Sequence, residues 1–526
     1  MAPIETELTL DPQELSGIKF NSFPRFKETW KHSLIDGASN LHSEFPDYHL
    51  SNPECLVSTT TVKSFRLGTG FSIFSQSLLP AIATAKHEVI LVTCFWARGP
   101  TLDALRETLE KLAEYRRERI RSIRSTGSEA DVLSPLKIRI CFSSRSFFQK
   151  LFHSSSRDGY VYPPSTWTTQ LGLPSPEVLE AGLIDLRVKS LFFLPFSVMH
   201  PKFLIIDQEK AWLPSCNVSW EAWLEGCVEV SGVAVSNLVE FYRHVWDRQL
   251  ESHVPGRGVL DHDNSWPLTP STLGELGLDP APYRGAGAFE DFAPGIDIPT
   301  VLLPSSHHRN PRFDIIPWHN HPEPPPTPLN TAVLRLLDMA EHIIYMQTPN
   351  LTSAMVIDKL LEALERGVNV TIVTNEKLML LEQIVTAGTT TSRCLNLLIK
   401  RYERLKAQHP QLTNNHGAAN SDVVIDIEAQ QPQLGSLNVH YYRPISEYQN
   451  DETTEEPVQS HLKLTIIDAQ YVILGSGNMD RASWFTSQEL GILFHSREFA
   501  TAVSTSVFST LSGRREPVFL SDESTA

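Results

Sequence analysis

The chain repeats itself over a span too long for a solenoid unit, so it has to fold as two similar halves. Residues from about 70 to 250 and from about 330 to 500 read in the same order. An amphipathic helix (SQSLLPAIATAK, then NTAVLRLLDMAE) precedes an apolar strand (EVILVTCF, then HIIYMQTP). A second helix (TLDALRETLEKL, then VIDKLLEALERG) precedes a second strand (KIRICFS, then NVTIVTN). Helices alternating with apolar strands at this spacing predict an α/β fold in each half, a mixed sheet flanked by helices. The 526 residues exceed what one hydrophobic core usually organises, which agrees with two halves.

The organisation read from these patterns is an N-terminal extension (1–60), a first half (61–255), a connecting segment (256–329), a second half (330–512) and a polar tail (513–526). The connection is rich in Pro, Gly, Asp and His, including PWHNHPEPPPTP, and is expected to be irregular or polyproline-like. Its His319 and His321 stand in a loop without a Cys, and read as surface residues rather than metal ligands. An Arg-rich insertion in the first half, around 116–124, reads as a solvated helix face. A polar insertion from about 376 to 435 in the second half is expected to be mobile; its basic amphipathic stretch LNLLIKRYERLK (395–406) either packs on the domain or touches a membrane surface.

Composition narrows the function. The six cysteines stand singly, without a CxxC pair, which argues against zinc clusters and a disulfide framework. No window approaches the run of about 18 apolar residues needed to span a bilayer, and the acidic start MAPIETELTLDPQE does not read as a signal peptide, so a cytoplasmic protein is expected. The formal net charge of -16 opposes loose binding to nucleic acid or anionic membrane.

Each half then carries one pattern: His, one residue, Lys, four residues, Asp, seven residues, then Ser-x-Asn. The first copy is His200, Lys202, Asp207, Ser215 and Asn217; the second is His461, Lys463, Asp468, Ser476 and Asn478. Two apolar strands joined by a polar turn make a hairpin in each copy. With turns at Gln208-Glu209 and Ala469-Gln470, His200 pairs with Asn217 and Lys202 with Ser215, and likewise His461 with Asn478 and Lys463 with Ser476. Alternation puts these groups on one face, while Asp207 and Asp468 fall at the opposite parity and are assigned to turn and packing roles.

Both copies resemble the HKD signature of the phospholipase D superfamily, and the resemblance extends through the repeat. It implies halves packed about a pseudo-twofold axis with one shared site, where His200 is the nucleophile and His461 protonates the leaving alcohol. Lys202, Lys463, Asn217 and Asn478, with Ser215 and Ser476, are expected to hold the phosphate oxygens. Glu229 and Glu489, 29 and 28 residues after their histidines, are expected to hold the histidine tautomers. The resemblance implies no metal and no other cofactor, and a monomer suffices for catalysis. The expected substrate is a phospholipid, by hydrolysis or transphosphatidylation, with peripheral membrane contact. Cardiolipin synthase-like transfer, nucleic-acid cleavage and a non-catalytic scaffold are the alternatives. The first copy departs from the pattern at Pro214, which removes a backbone donor where the family has Gly.

Overall fold

The computed structural model describes residues 22–38, 45–126, 133–146, 157–193, 197–248, 250, 287–308, 323–408, 433–447 and 455–521. After the helix α1 (Ser22–Gly37), the first half contains β1 (Val57–Thr69), α2 (Gly70–Ile73), α3 (Leu79–Ala83), β2 (Glu88–Phe95), α4 (Pro100–Thr126), β3 (Leu136–Ser144) and β4 (Ile184–Ser190). It ends with the hairpin β5 (Phe203–Ile206) and β6 (Lys210–Pro214), then β7 (Trp223–Gly232) and α5 (Val233–Val245). The second half repeats the series with β8 (Ala288–Ser305), α6 (Pro328–Met339), β9 (Ile343–Gln347), α7 (Ala354–Glu365), β10 (Asn369–Thr374), α8 (Leu380–Ala387), α9 (Thr391–Gln408) and β11 (Leu437–Tyr442). The hairpin β12 (Leu464–Ile467) and β13 (Tyr471–Gly475) follows, then α10 (Arg481–Phe485), β14 (Glu489–His495), α11 (Arg497–Leu511) and β15 (Arg515–Leu520).

These strands lie in one mixed sheet whose order is a palindrome: β4-β3-β2-β5-β6-β7-β1, then β8-β14-β13-β12-β9-β10-β11, with β15 added at the far edge. The outer three strands of each half are parallel, as the helix–strand alternation predicts, and the hairpins are antiparallel. At the centre β1 runs antiparallel to β8, from Val57 opposite Val301 to Leu67 opposite Ala288. An antiparallel pairing of two equivalent strands is what a twofold relation between halves requires.

β8 corrects the expectation of an irregular connection. Pro and Gly weaken its local strand signal, but it is hydrogen-bonded on both sides, to β1 and to β14, and Ile298, Val301, Leu302 and Leu303 are buried. Much of the connection, with His319 and His321, lies outside the described residues. The second insertion is likewise helical over α8 and α9 in its described part. The Arg-rich stretch continues α4, and Arg116 is buried, donating to the carbonyls of Gly182 at 2.7 Å and Ser134 at 2.6 Å rather than facing solvent.

One apolar core runs through both halves, and a second lies within the first half. The N-terminal α1 buries Phe26, Trp30 and Leu34 in the shared core, and Trp30 Nε1 donates to the Pro328 carbonyl at 3.0 Å. No helix among the described residues is long and apolar enough to cross a membrane. Truncating Trp30 removes a fully buried indole and its hydrogen bond, so Trp30→Ala should lose about 3–5 kcal/mol of stability. Urea unfolding measures this; a loss below about 1 kcal/mol would mean that α1 lies outside the cooperative unit.

Candidate active site

Each motif begins from its turn. Asp207 and Gln208 have φ of 53° and 56°, and Asp468 and Ala469 have φ of 50° and 49°, the positive pair of a type I′ turn. Glu209 N donates to Ile206 O at 3.0 Å and Gln470 N to Ile467 O at 3.1 Å. The turns therefore sit one residue earlier than expected, and the ladder pairs Ile206 with Lys210 and Ile467 with Tyr471, so that each loop holds three residues, Glu209 and Gln470 included. This register replaces the predicted pairing of His200 with Asn217 and of His461 with Asn478. Asp tolerates the left-handed conformation and its carboxylate is used locally. Asp207 accepts from the amides of Lys86, His87 and Glu88 at 2.7–3.0 Å, and Asp468 from those of Glu341, His342 and Ile343 at 2.8–3.0 Å. Both aspartates thus tie the turn to the start of a neighbouring strand.

The histidine segments cross to the other half. His200 N donates to Gln488 O at 2.9 Å and Gln488 N to Val198 O at 2.9 Å. The reciprocal pair is His461 N to Leu224 O at 2.8 Å and Val458 N to Ala222 O at 2.8 Å. Each imidazole is thereby set against a carboxylate of the opposite half: His200 Nδ1 lies 2.8 Å from Glu489 Oε2, and His461 Nδ1 lies 2.8 Å from Glu225 Oε1. Lys202 Nζ donates to His200 O at 2.9 Å and Lys463 Nζ to His461 O at 2.7 Å, which holds each ammonium beside its imidazole.

Two expectations about the carboxylates change. Glu489 contacts His200, not the histidine of its own copy, and Glu229 contacts neither. Glu229 sits opposite Trp212 and accepts from Ser64 Oγ at 3.2 Å, four residues or roughly 13 Å along β7 from Glu225. Counting from the histidines misleads because α10 lengthens the second copy: Asn217 precedes Glu225 by 8 residues and Asn478 precedes Glu489 by 11. The serines differ too. Ser215 Oγ donates to Glu225 and accepts from Gly226 N at 2.9 Å; Ser476 Oγ donates to Glu489 and accepts from Leu490 N at 3.0 Å. These hydroxyl protons orient carboxylates and are not directed at a phosphate.

The copies are not equal. Asn217 Oδ1 accepts from Phe95 N at 3.1 Å and Thr93 Oγ1 at 3.3 Å, whereas Asn478 Nδ2 donates to Asp480 at 3.0 Å. Glu489 receives a further hydroxyl, from Ser483 at 2.7 Å. Pro214 lies opposite Cys227 in a strand flanked on both sides, and Ser215 N still donates to Gly226 O at 2.8 Å, so the motif keeps its tie without a donor at 214. Gly475, its counterpart, has φ of 153°, and a Cβ there would meet Leu490 O at 2.4 Å. Trp223 packs on His461 with ring centroids 4.8 Å apart; the corresponding place beside His200 holds Ser487. The side chain of His200 is 14% exposed and that of His461 only 4%.

Burial governs the charges. It lowers both imidazoles, His461 to about 3, against the pull of their carboxylates. Burial raises Glu225, but His461, Lys463 and Ser215 outweigh it and keep the carboxyl below its ordinary value. The site thus holds a neutral His461 donating Nδ1–H to a Glu225 carboxylate, which leaves the lone pair on Nε2. Burial also holds Lys463 down to about 7 and raises Asp480.

Residues 333–510 match the family model described as "Cardiolipin synthase, PLD-like domain". No curated protein matches by sequence. Among solved structures, phosphatidylserine synthase from Haemophilus influenzae Rd KW20 is 13% identical with a TM-score of 0.47, over 88% of this chain and 90% of that one. Nuc from Salmonella typhimurium, a phospholipase D family member, is 17% identical with a TM-score of 0.24, over 36% and 89%. Polyphosphate kinase from Porphyromonas gingivalis is 10% identical with a TM-score of 0.40, over 84% and 47%. Likeness at this level carries no argument; the family model shows that residues 333–510 are a phospholipase D-like domain, and the motif of that domain recurs in the first half.

Proposed function

We propose that this protein cleaves phospholipid phosphodiester bonds through a phosphohistidine and passes the phosphatidyl group to water or to a second alcohol. The observation that carries the reading is the exchange of carboxylates: a glutamate of the opposite half holds Nδ1 of each imidazole, which leaves both Nε2 atoms to act, and each histidine has a lysine bonded to its carbonyl. His200 Nε2 attacks phosphorus, the bond to the leaving alcohol breaks, and His461 supplies the proton that alcohol needs. Because burial keeps His461 neutral, it takes up that proton with the anionic diester. In the second step water or an alcohol attacks phosphorus, the N–P bond breaks, and His461 recovers the proton. Lys202 and Lys463, with Asn217 and Asn478, stabilise the charge gathering on the non-bridging oxygens. No step calls on a metal, so a chelator should leave the rate unchanged.

The description of the matched domain favours transfer to a lipid-borne alcohol as the second reading. Glycerol or phosphatidylglycerol added to the assay separates the two, since transfer yields a new phosphatidyl ester and hydrolysis yields phosphatidic acid. Nucleic-acid cleavage fits the acidic chain less well.

Three outcomes test the proposal. His200→Ala and His461→Ala should each lose at least about a thousandfold in turnover of phosphatidylcholine and of a soluble chromogenic diester, and activity surviving in both variants would refute the shared site. Glu489→Gln should cost about 10²–10⁴-fold in kcat and add nothing to the loss in His200→Ala, as expected of a group acting through that imidazole. Burial makes Lys463 lose its charge as pH rises through about 7. Therefore kcat/KM, which reports the free enzyme, should fall on the alkaline side from about pH 7, and a profile flat to about pH 9 would show that this charge is not needed.

A further inference from the structure

The helix α8 is built inside out. Its buried residue is Gln383, while Leu380, Leu381, Ile384 and Val385 face outward, Leu381 being 77% and Ile384 54% exposed. Gln383 anchors the helix: Nε2 donates to Leu378 O at 2.6 Å, and Oε1 accepts from Thr391 N at 2.6 Å and Thr391 Oγ1 at 3.1 Å. Thr391 Oγ1 in turn accepts from Leu351 N at 3.0 Å, and Leu351 forms a β-bridge with Met479, the neighbour of Asn478. The exposed apolar face is thus fixed to the segment that ends the second motif.

Cations follow this helix directly, because Gln383 Oε1 accepts from Thr391 N, at the start of α9, at 2.6 Å. Arg393, Leu397, Lys400 and Arg404 follow one another at helical spacing on the exposed face of α9, and among the described residues Arg393, Lys400 and Arg404 form no ion pair. The opposite face, with Cys394, Leu395, Leu398 and Tyr402, is buried. In a chain of net charge -16, a run of unpaired cations that begins two residues beyond Thr391, where α8 with its exposed Leu, Ile and Val is anchored, is complementary to an anionic phospholipid surface.

From this we infer that the outer face of α8, with Arg393 and Leu397 at the start of α9, is the surface by which the protein rests on a phospholipid layer, its cations on anionic head groups. The inference rests on the lipid reading above. A lipid layer seated here would bring the substrate to the segment that ends the second motif, to which α8 is fixed.

The test uses the full chain with vesicles of phosphatidylcholine and phosphatidylglycerol, comparing wild type with the double substitution L381E/I384E. Both positions are exposed, so the variant should keep its fold and turn over a soluble short-chain diester within about twofold of wild type. Its vesicle binding by flotation, and its turnover of vesicle lipid, should fall at least about tenfold. R393E/K400E should weaken binding to these vesicles and spare binding to phosphatidylcholine alone. Vesicle binding equal to wild type in L381E/I384E overturns the inference, and a change from dimer to monomer with binding intact assigns the face to a second copy instead. Absence of turnover of any diester by wild type would refute the proposed function, while the flotation comparison would still decide the surface.

Discussion

The antiparallel pairing of β1 with β8 is the constraint on which the rest depends. It rotates one half against the other so that the segment leading into each histidine lies beside the start of the partner half's strand, β7 or β14. Only in that arrangement can Glu225 reach His461 and Glu489 reach His200. Burying carboxylates and ammonium groups together is costly unless each is paired and hydrogen-bonded. Here Glu225 and Glu489 each have an imidazole and at least one hydroxyl, and each ammonium has a backbone carbonyl. The site is therefore a joint property of two halves, stabilised by the same seam that builds the sheet.

Periodicity alone makes the outer parts of the fold legible. The segment EVILVTCF is the strand Glu88–Phe95, and NVTIVTN ends one residue beyond the strand Asn369–Thr374. Such runs are buried on both faces of a covered sheet, so their signal is local. β8 is hidden from this reading because Pro294, Gly295 and Pro299 look like breakers; Pro294 and Gly295 fall where the ladder to β1 is interrupted, between Asp291 and Ile296, and Pro299 is held opposite Thr59, a residue far away in sequence.

The site is legible in its residue types and not in its partners. Both histidines, both lysines and both asparagines stand out through the repeated spacing, and the structure draws the histidines and lysines together. Glu225 does not, because spacing counted along one copy cannot reveal a contact made to the other, and α10 shifts the count by three residues. The hairpin register differs by one from the expected one because the aspartate itself belongs to the turn: Asp can adopt positive φ and bind three amides at once, which alternation of apolar residues does not signal.

The palindromic sheet has a further consequence. If one half had to pair with an identical copy, any change near one imidazole would be imposed on the other, and both mouths of the site would stay alike. Joining the halves in one chain lifts that obligation. Trp223 beside His461 with Ser487 beside His200, and Pro214 on one side with Gly475 on the other, are differences that only a covalently fused pair can hold. Fusion thus gives the two sides separate histories, and a site that begins as symmetric acquires a front and a back.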